Sequence, residues 1–123
     1  MSKKLMIVDD EVQITTMLEK ALSRNPEFKV SSYNNPNTAL SQLGTLKPDL
    51  VLLDIMMPQM DGITVLGKIK ESRPETKVIM MTAYSSLDKV LDSHKVGADQ
   101  YILKPFESLH AVEAKVKKAL EGK

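Results

Sequence analysis

Four short apolar runs, LMIV at residues 5–8, LVLL at 50–53, VIMM at 78–81 and YIL at 101–103, each stop at a polar or charged residue and give way to a segment of helical periodicity. That repeated alternation restricts the fold more than any other feature of the chain. A run that is apolar at every position reads as a strand covered on both faces, and a parallel sheet flanked by helices supplies such cover. A fifth run, FKVSSY at 28–33, differs: Phe28, Val30 and Ser32 interleave with Lys29 and Ser31, which suits an edge strand partly open to solvent.

Between the runs, apolar residues three and four apart mark helices that bury one face. They are Ile14, Met17, Leu18, Ala21 and Leu22 in the first, Val65, Leu66 and Ile69 in the third, Leu87, Val90 and Leu91 in the fourth, and Leu109, Val112, Val116 and Leu120 in the last. Asn35 and Pro36 supply a cap and first residue for the second helix, and Gly44 its expected stop; Gly62 marks the turn into the third and Gly97 the end of the fourth. The pattern is (βα)5, a doubly wound α/β fold in which right-handed crossovers put helices on both faces of the sheet. With 123 residues, the expectation is a single domain over residues 1–123, burying about two thirds of the surface its unfolded chain exposes.

Composition removes several classes of function. No cysteine is present, so disulfides, thiolate metal ligands and cysteine nucleophiles are excluded, and the sequence suits a reducing compartment. The amino terminus is too short an apolar run for a signal peptide, and no later run approaches the ~20 residues of a membrane span, so a cytoplasmic protein is expected. A net charge of +1 with few aromatic residues gives little reason to expect direct contact with nucleic acid or a membrane surface. The cluster Lys115, Lys117 and Lys118 reads as the complement of the last helix's negative end.

The residues that end the apolar runs are Asp9 and Asp10, Asp54, Thr82 and Lys104. Singly, each has an ordinary structural explanation: a helix cap, a turn residue before Pro58, a strand end, a solvated lysine. Together they fall at the carboxyl ends of strands, where open α/β sheets form their ligand crevice. Three carboxylates in one crevice repel one another, and burial raises their pKa unless a cation compensates. Oxygen ligands supplemented by water suit Mg²⁺ better than a Ca²⁺ cage, and without Cys or clustered His, zinc does not fit. A carboxylate nucleophile, Mg²⁺, an ammonium and a hydroxyl are what phosphoryl transfer needs, because that reaction depends on positioning and on neutralising the phosphoryl oxygens. An aspartyl phosphate is the expected product.

At these residues the chain resembles the receiver domains of two-component response regulators, the CheY-like family. "MIVDDE", "VLLDIMMPQMDG", "VIMMTAY" and "GADQYILKPF" stand in that family's order and spacing, and the likeness covers essentially the whole chain. The resemblance implies a flavodoxin-like, five-stranded parallel sheet of order 2-1-3-4-5. It implies that Asp54 accepts a phosphoryl group from a phosphohistidine on a sensor histidine kinase or phosphotransfer protein. Asp10 matches the direct Mg²⁺ ligand and Asp9 its acidic companion, with Asp54 and the backbone carbonyl of Met56 completing the set. Thr82 matches the switch hydroxyl, Tyr101 the aromatic switch, and Lys104, before a cis Pro105, the lysine that contacts the phosphoryl group. The implied output is a changed face of fourth helix, fifth strand and fifth helix, presented to a downstream protein or output domain by a monomer or a phosphorylation-dependent dimer. The two positions with which the family tunes hydrolysis are Met56 and Tyr84, both bulky and unable to orient water, so slow self-dephosphorylation is expected.

Other motifs are decoys. Gly62, Gly67 and Lys68 fit most of a phosphate-cradling loop, but Ile69 lacks the required hydroxyl and the stretch between reads as helix. Ser85 and Ser86 lack the surroundings of a hydrolase nucleophile. His94 and His110 read as solvated, and Met80 and Met81 as core filler. The alternative from another class is a Mg²⁺-dependent phosphatase turning over an aspartyl phosphate; that reading wants a second acid two residues beyond Asp54, where Met56 stands. The last helical pattern ends near Leu120, where a terminus or a linker to an output domain would follow.

Overall fold

The computed structural model describes residues 2–82 and 87–121, the stretch 87–90 by its backbone. In chain order the elements are β1 (Lys3–Val8), α1 (Val12–Leu22), β2 (Phe28–Tyr33), α2 (Pro36–Leu46), β3 (Leu50–Asp54), α3 (Gly62–Ser72), β4 (Lys77–Thr82), α4 (Leu87–Val96), β5 (Gln100–Leu103) and α5 (Leu109–Glu121). The strands form one parallel sheet in the order β2-β1-β3-β4-β5. The alternation of strand and helix is the one expected from the apolar runs, and the strand order is the one the family resemblance implies.

Two cores follow from the period-two alternation of side chains along a strand. On one face Leu5, Ile7, Leu50, Leu52, Ile79 and Met81 meet Leu18 and Leu22 of α1 and Val112 and Val116 of α5. On the other, Met6, Val8, Val51, Leu53, Val78 and Met80 meet Ala39 and Leu43 of α2 and Val65, Leu66 and Ile69 of α3. Strands buried on both sides must be apolar throughout, which is why β1, β3 and β4 read as continuous runs. Truncating a core leucine such as Leu52, fully buried, is expected to cost about 2–5 kcal/mol.

The edges are β2 and β5. Phe28 is buried while Lys29 is exposed, as the alternation in that run requires. In β5, Leu103 is exposed, and Lys115 Nζ donates to the Tyr101 carbonyl at 3.0 Å, satisfying an acceptor of the edge strand.

Several helix boundaries and faces are legible in advance and others are not. Asn35 caps α2, its side chain accepting from Asn37 N, with Pro36 in the first turn. Gly97 follows α4 with φ +119°, a left-handed conformation in which glycine carries no Cβ penalty. Gly44 does not stop α2. The helix runs on to Leu46, which packs on the core, and ends at left-handed Lys47 (φ 48°), whose N–H bonds Leu43 O, just before Pro48. Met17 is partly exposed, lying beside the buried stripe of Thr15, Leu18 and Leu22. Leu91 is 67% exposed, because it lies two residues, about 200° round the helix, from the fully buried Ser93. The side chains of Leu87 and Val90 fall outside the described residues.

The stretch 62–69 is helix, so no phosphate-cradling loop exists there. His94 and His110 are exposed. Among the described residues, no helix is long and apolar enough to cross a membrane.

Candidate functional site

β1, β3, β4 and β5 all end at the same rim of the sheet, and their carboxyl ends carry the chemistry. The Asp9 main chain extends the β1 ladder by one bond, its N–H donating to Tyr33 O at 3.1 Å. Its Oδ1 accepts from Glu11 N at 2.9 Å, so the turn into α1 fixes the side chain. Asp54 is the last residue of β3 and is 5% exposed; Met56 N donates to its Oδ1 at 3.4 Å. The loop after Asp54 returns sharply: Ile55 and Met57 are buried in the core, Met56 is 55% exposed, and Gly62 N donates to Ile55 O at 2.6 Å. A Cβ at Gly62 would collide with the Asp54 carbonyl oxygen and approach Ile55 Cα to 2.7 Å. Only glycine lets α3 begin this close to the end of β3.

Lys104 arrives from the far edge. Its N–H donates to Thr82 O at 2.7 Å, its peptide bond to Pro105 is cis, and its Nζ lies 2.7 Å from Asp9 Oδ2, 3.3 Å from Asp54 Oδ1 and 3.4 Å from Glu11 Oε1. Asp9, Asp10 and Asp54 each bring a carboxylate oxygen within 4.8 Å of the others. Three carboxylates against one ammonium leave a formal charge of −2 before Glu11 is counted.

The consequence appears in proton affinity. Burial, followed by the negative charge of Asp9, pushes Asp54 from an ordinary 3.8 up to about 7; Lys104 opposes the shift and contact with the Asp10 carboxyl adds to it. Burial would lower the pKa of Lys104, but Asp9 and Asp54 outweigh it and hold the ammonium above the usual lysine value. Asp9 Oδ2 is fully buried and, despite the ion pair with Lys104, receives no hydrogen bond of good geometry. A buried acceptor short of donors, in an oxygen-only cluster short of positive charge, fits a hard divalent cation such as Mg²⁺.

Of the residues singled out in the sequence, the structure brings together Asp9, Asp10, Asp54 and Lys104. Thr82 is buried at the end of β4 beside them, bound through its carbonyl to Lys104 N. Met56 touches Asp54 through its main-chain N–H. Tyr101 stands apart, half-buried against the core on the α2 and α3 side, its hydroxyl accepting from Ser93 Oγ at 3.3 Å. Tyr84, Ser85 and Ser86 lie outside the described residues. Sequence reasoning gave no role to Glu11, which reaches Lys104 from the mouth of the site; its place directly after the acidic pair was the available signal.

Comparison with known proteins identifies the family and the fold. A family model described as the response regulator receiver domain matches residues 5–116. The chain is 38% identical over 116 residues to the chemotaxis protein CheY of Listeria monocytogenes, covering 94% of this chain and 98% of that one. It is 37% identical over 118 residues to the regulatory protein AtoC of Escherichia coli, covering 96% of this chain but 25% of AtoC. The chain thus spans nearly all of one curated relative and a quarter of another. The crystal structure of a CheY-like response regulator receiver domain protein from Methanospirillum hungatei superposes with a TM-score of 0.92 at 31% identity, covering 98% of this chain and 95% of that one.

Proposed function

The chain belongs to the response regulator receiver domain family, and on that premise we propose that Asp54 is its phosphoacceptor, with Asp9, Asp10, Asp54 and the Met56 carbonyl holding Mg²⁺. Receiver domains signal through phosphorylation, take Mg²⁺ as a family, and partner with histidine kinases and output domains. The observation that carries the assignment is the buried Asp54 carboxylate, drawn up against two other acids and 3.3 Å from the Lys104 ammonium.

An Asp54 carboxylate oxygen attacks the phosphorus of a phosphohistidine; the O–P bond forms, the N–P bond breaks, and the imidazole leaves after taking a proton from solvent. Lys104 neutralises charge on the phosphoryl oxygens and helps to keep Asp54 ionised. Bound Mg²⁺ supplies the remaining positive charge. The new phosphoryl oxygens offer acceptors to the Thr82 hydroxyl, and its inward movement makes room for Tyr101. That shifts the population of the face built from α4, β5 and α5 towards the state a partner binds. Met56, at the mouth of the site, has neither acid nor amide to orient water, so the phosphoryl group leaves slowly. Both self-phosphorylation from small donors and self-dephosphorylation belong to a signalling domain, and a turnover phosphatase is not favoured.

Mixing the chain with Mg²⁺ and a small phosphodonor should add one phosphoryl group per chain by intact mass. Multiple turnover of donor without accumulation, or uptake that persists in Asp54→Asn, would overturn the assignment.

A further inference from the structure

Where β2 leaves the sheet, Asn34 Nδ2 donates to the main-chain carbonyl of Asp9 at 2.9 Å and to Thr15 Oγ1 at 2.9 Å. Chemistry fixes the orientation of this amide. A carbonyl only accepts, and the Thr15 hydroxyl gives its proton to Val12 O at 3.1 Å, so both partners need a donor and only the NH₂ end of Asn34 has two. Because Asp9 N–H is already given to Tyr33 O, both main-chain groups of Asp9 are anchored to the end of β2. A second tie braces the same junction: Ser32 Oγ donates to Glu19 Oε1 at 2.5 Å, one turn further along α1 than Thr15.

We infer that Asn34 is a positioning residue for the acidic pair, a brace joining β2, α1 and the carbonyl of Asp9 that keeps Asp9 and Asp10 close to Asp54. The inference rests on the metal-site reading above and deepens it. Asn34 is itself exposed and has no hydrogen bond to a carboxylate oxygen of the cluster. Its effect passes through the backbone. Carboxylates that repel one another gain by moving apart, and the short loop from residue 9 to 11, between β1 and α1, is where the backbone would have to give to let them. With the Asp9 carbonyl tied to a strand and a helix together, that relaxation is blocked and the cluster stays poised for a cation.

The test is Mg²⁺ titration of the full chain, followed by calorimetry and by amide NMR shifts at Asp9, Asp10 and Asp54, for wild type, Asn34→Ala and Thr15→Val. Loss of a group that orients metal ligands from behind weakens metal binding by about 10–100-fold. The expectation for Asn34→Ala is the lower end, roughly tenfold, with faster hydrogen exchange at the Asp10 and Glu11 amides. Thr15→Val, which keeps the volume and removes one anchor, is expected to give a smaller loss in the same direction. A purely structural role lowers the unfolding temperature and leaves the Mg²⁺ affinity of the folded protein alone; affinity of Asn34→Ala within twofold of wild type overturns the inference. If Asn34→Ala does not fold, unchanged affinity in Thr15→Val overturns it instead. Failure of wild type itself to bind Mg²⁺ sinks the metal-site reading and the brace with it.

Discussion

At the amino end of the sheet Asp99 Oδ2 accepts from Val78 N at 2.8 Å and from Lys70 Nζ at 2.9 Å, whereas at the carboxyl end Asp9, Asp10 and Asp54 share Lys104. Lys70 also donates to Thr76 O at 2.7 Å, and the buried Thr76 hydroxyl donates to Pro48 O while accepting from Arg73 Nε. The two ends use the same residue types and differ in balance. Where each carboxylate has its own ammonium and main-chain donor, the cluster joins α3, β4 and the start of β5 and is chemically quiet. Where acids outnumber cations, a proton, a metal or a phosphoryl group has something to gain by arriving. A deficit of positive charge, rather than the presence of acids, separates a reactive site from a structural knot.

The largest effect should come from Asp54→Asn, which is expected to abolish phosphoryl uptake measured by mass, while Lys70→Met at the opposite end leaves one group per chain. Lys70→Met should instead cost stability, about 2 kcal/mol by urea denaturation. It strands a partly buried carboxylate, and the pair's partial exposure keeps the loss below that of a fully buried one. A loss of uptake in Lys70→Met would erase the contrast.

A third, smaller effect concerns pH. Folding raises the Asp54 pKa from 3.8 to about 7, so between those values the folded chain keeps a proton that the unfolded chain has lost. The contribution to stability is therefore whole below about pH 4, declines as pH rises and is gone above the folded value. In metal-free buffer Asp54→Asn lacks this slope, so its unfolding temperature should exceed that of wild type by a margin that grows from pH 5 to pH 8 and narrows when Mg²⁺ is added. A constant margin would mean that the charge deficit is not felt in folding. The smallest effect is kinetic: Met56→Asn should speed loss of the phosphoryl group several-fold, and an unchanged decay would remove Met56 from the control of hydrolysis.

Much of this could be read from the chain because burial dictates pattern. Three strands covered on both sides must be apolar to their last residue, so Asp54 and Thr82 stand out at their ends and Asp9 just beyond one. Lys104 follows from the same logic at an edge. What could not be read are the interactions that depend on tertiary placement. Nothing in the loop at Asn34 indicates that its amide reaches back to Asp9. Lys70 and Asp99 sit on separate elements with no local pattern linking them. Gly44 looks like a helix stop because glycine usually serves there; Leu46, two residues on, gains more by packing on the core than the chain would by ending early. Met17 fits a helical repeat while falling beside the buried stripe, because periodicity marks a face only to within one neighbouring position, and Leu91 misleads because a buried position of its helix is a polar residue, Ser93.

The tether from Lys115 to the Tyr101 carbonyl has a reach beyond its own 3.0 Å. An outermost strand is a template on which a stranger's backbone can assemble, and here α5 lends it a proton donor before any newcomer can. On the function proposed above, the same helix flanks the face that reports phosphorylation, so any rearrangement that lifts α5 would also strip the guard from that border. Signalling competence and resistance to sticking thus pull on a single side chain.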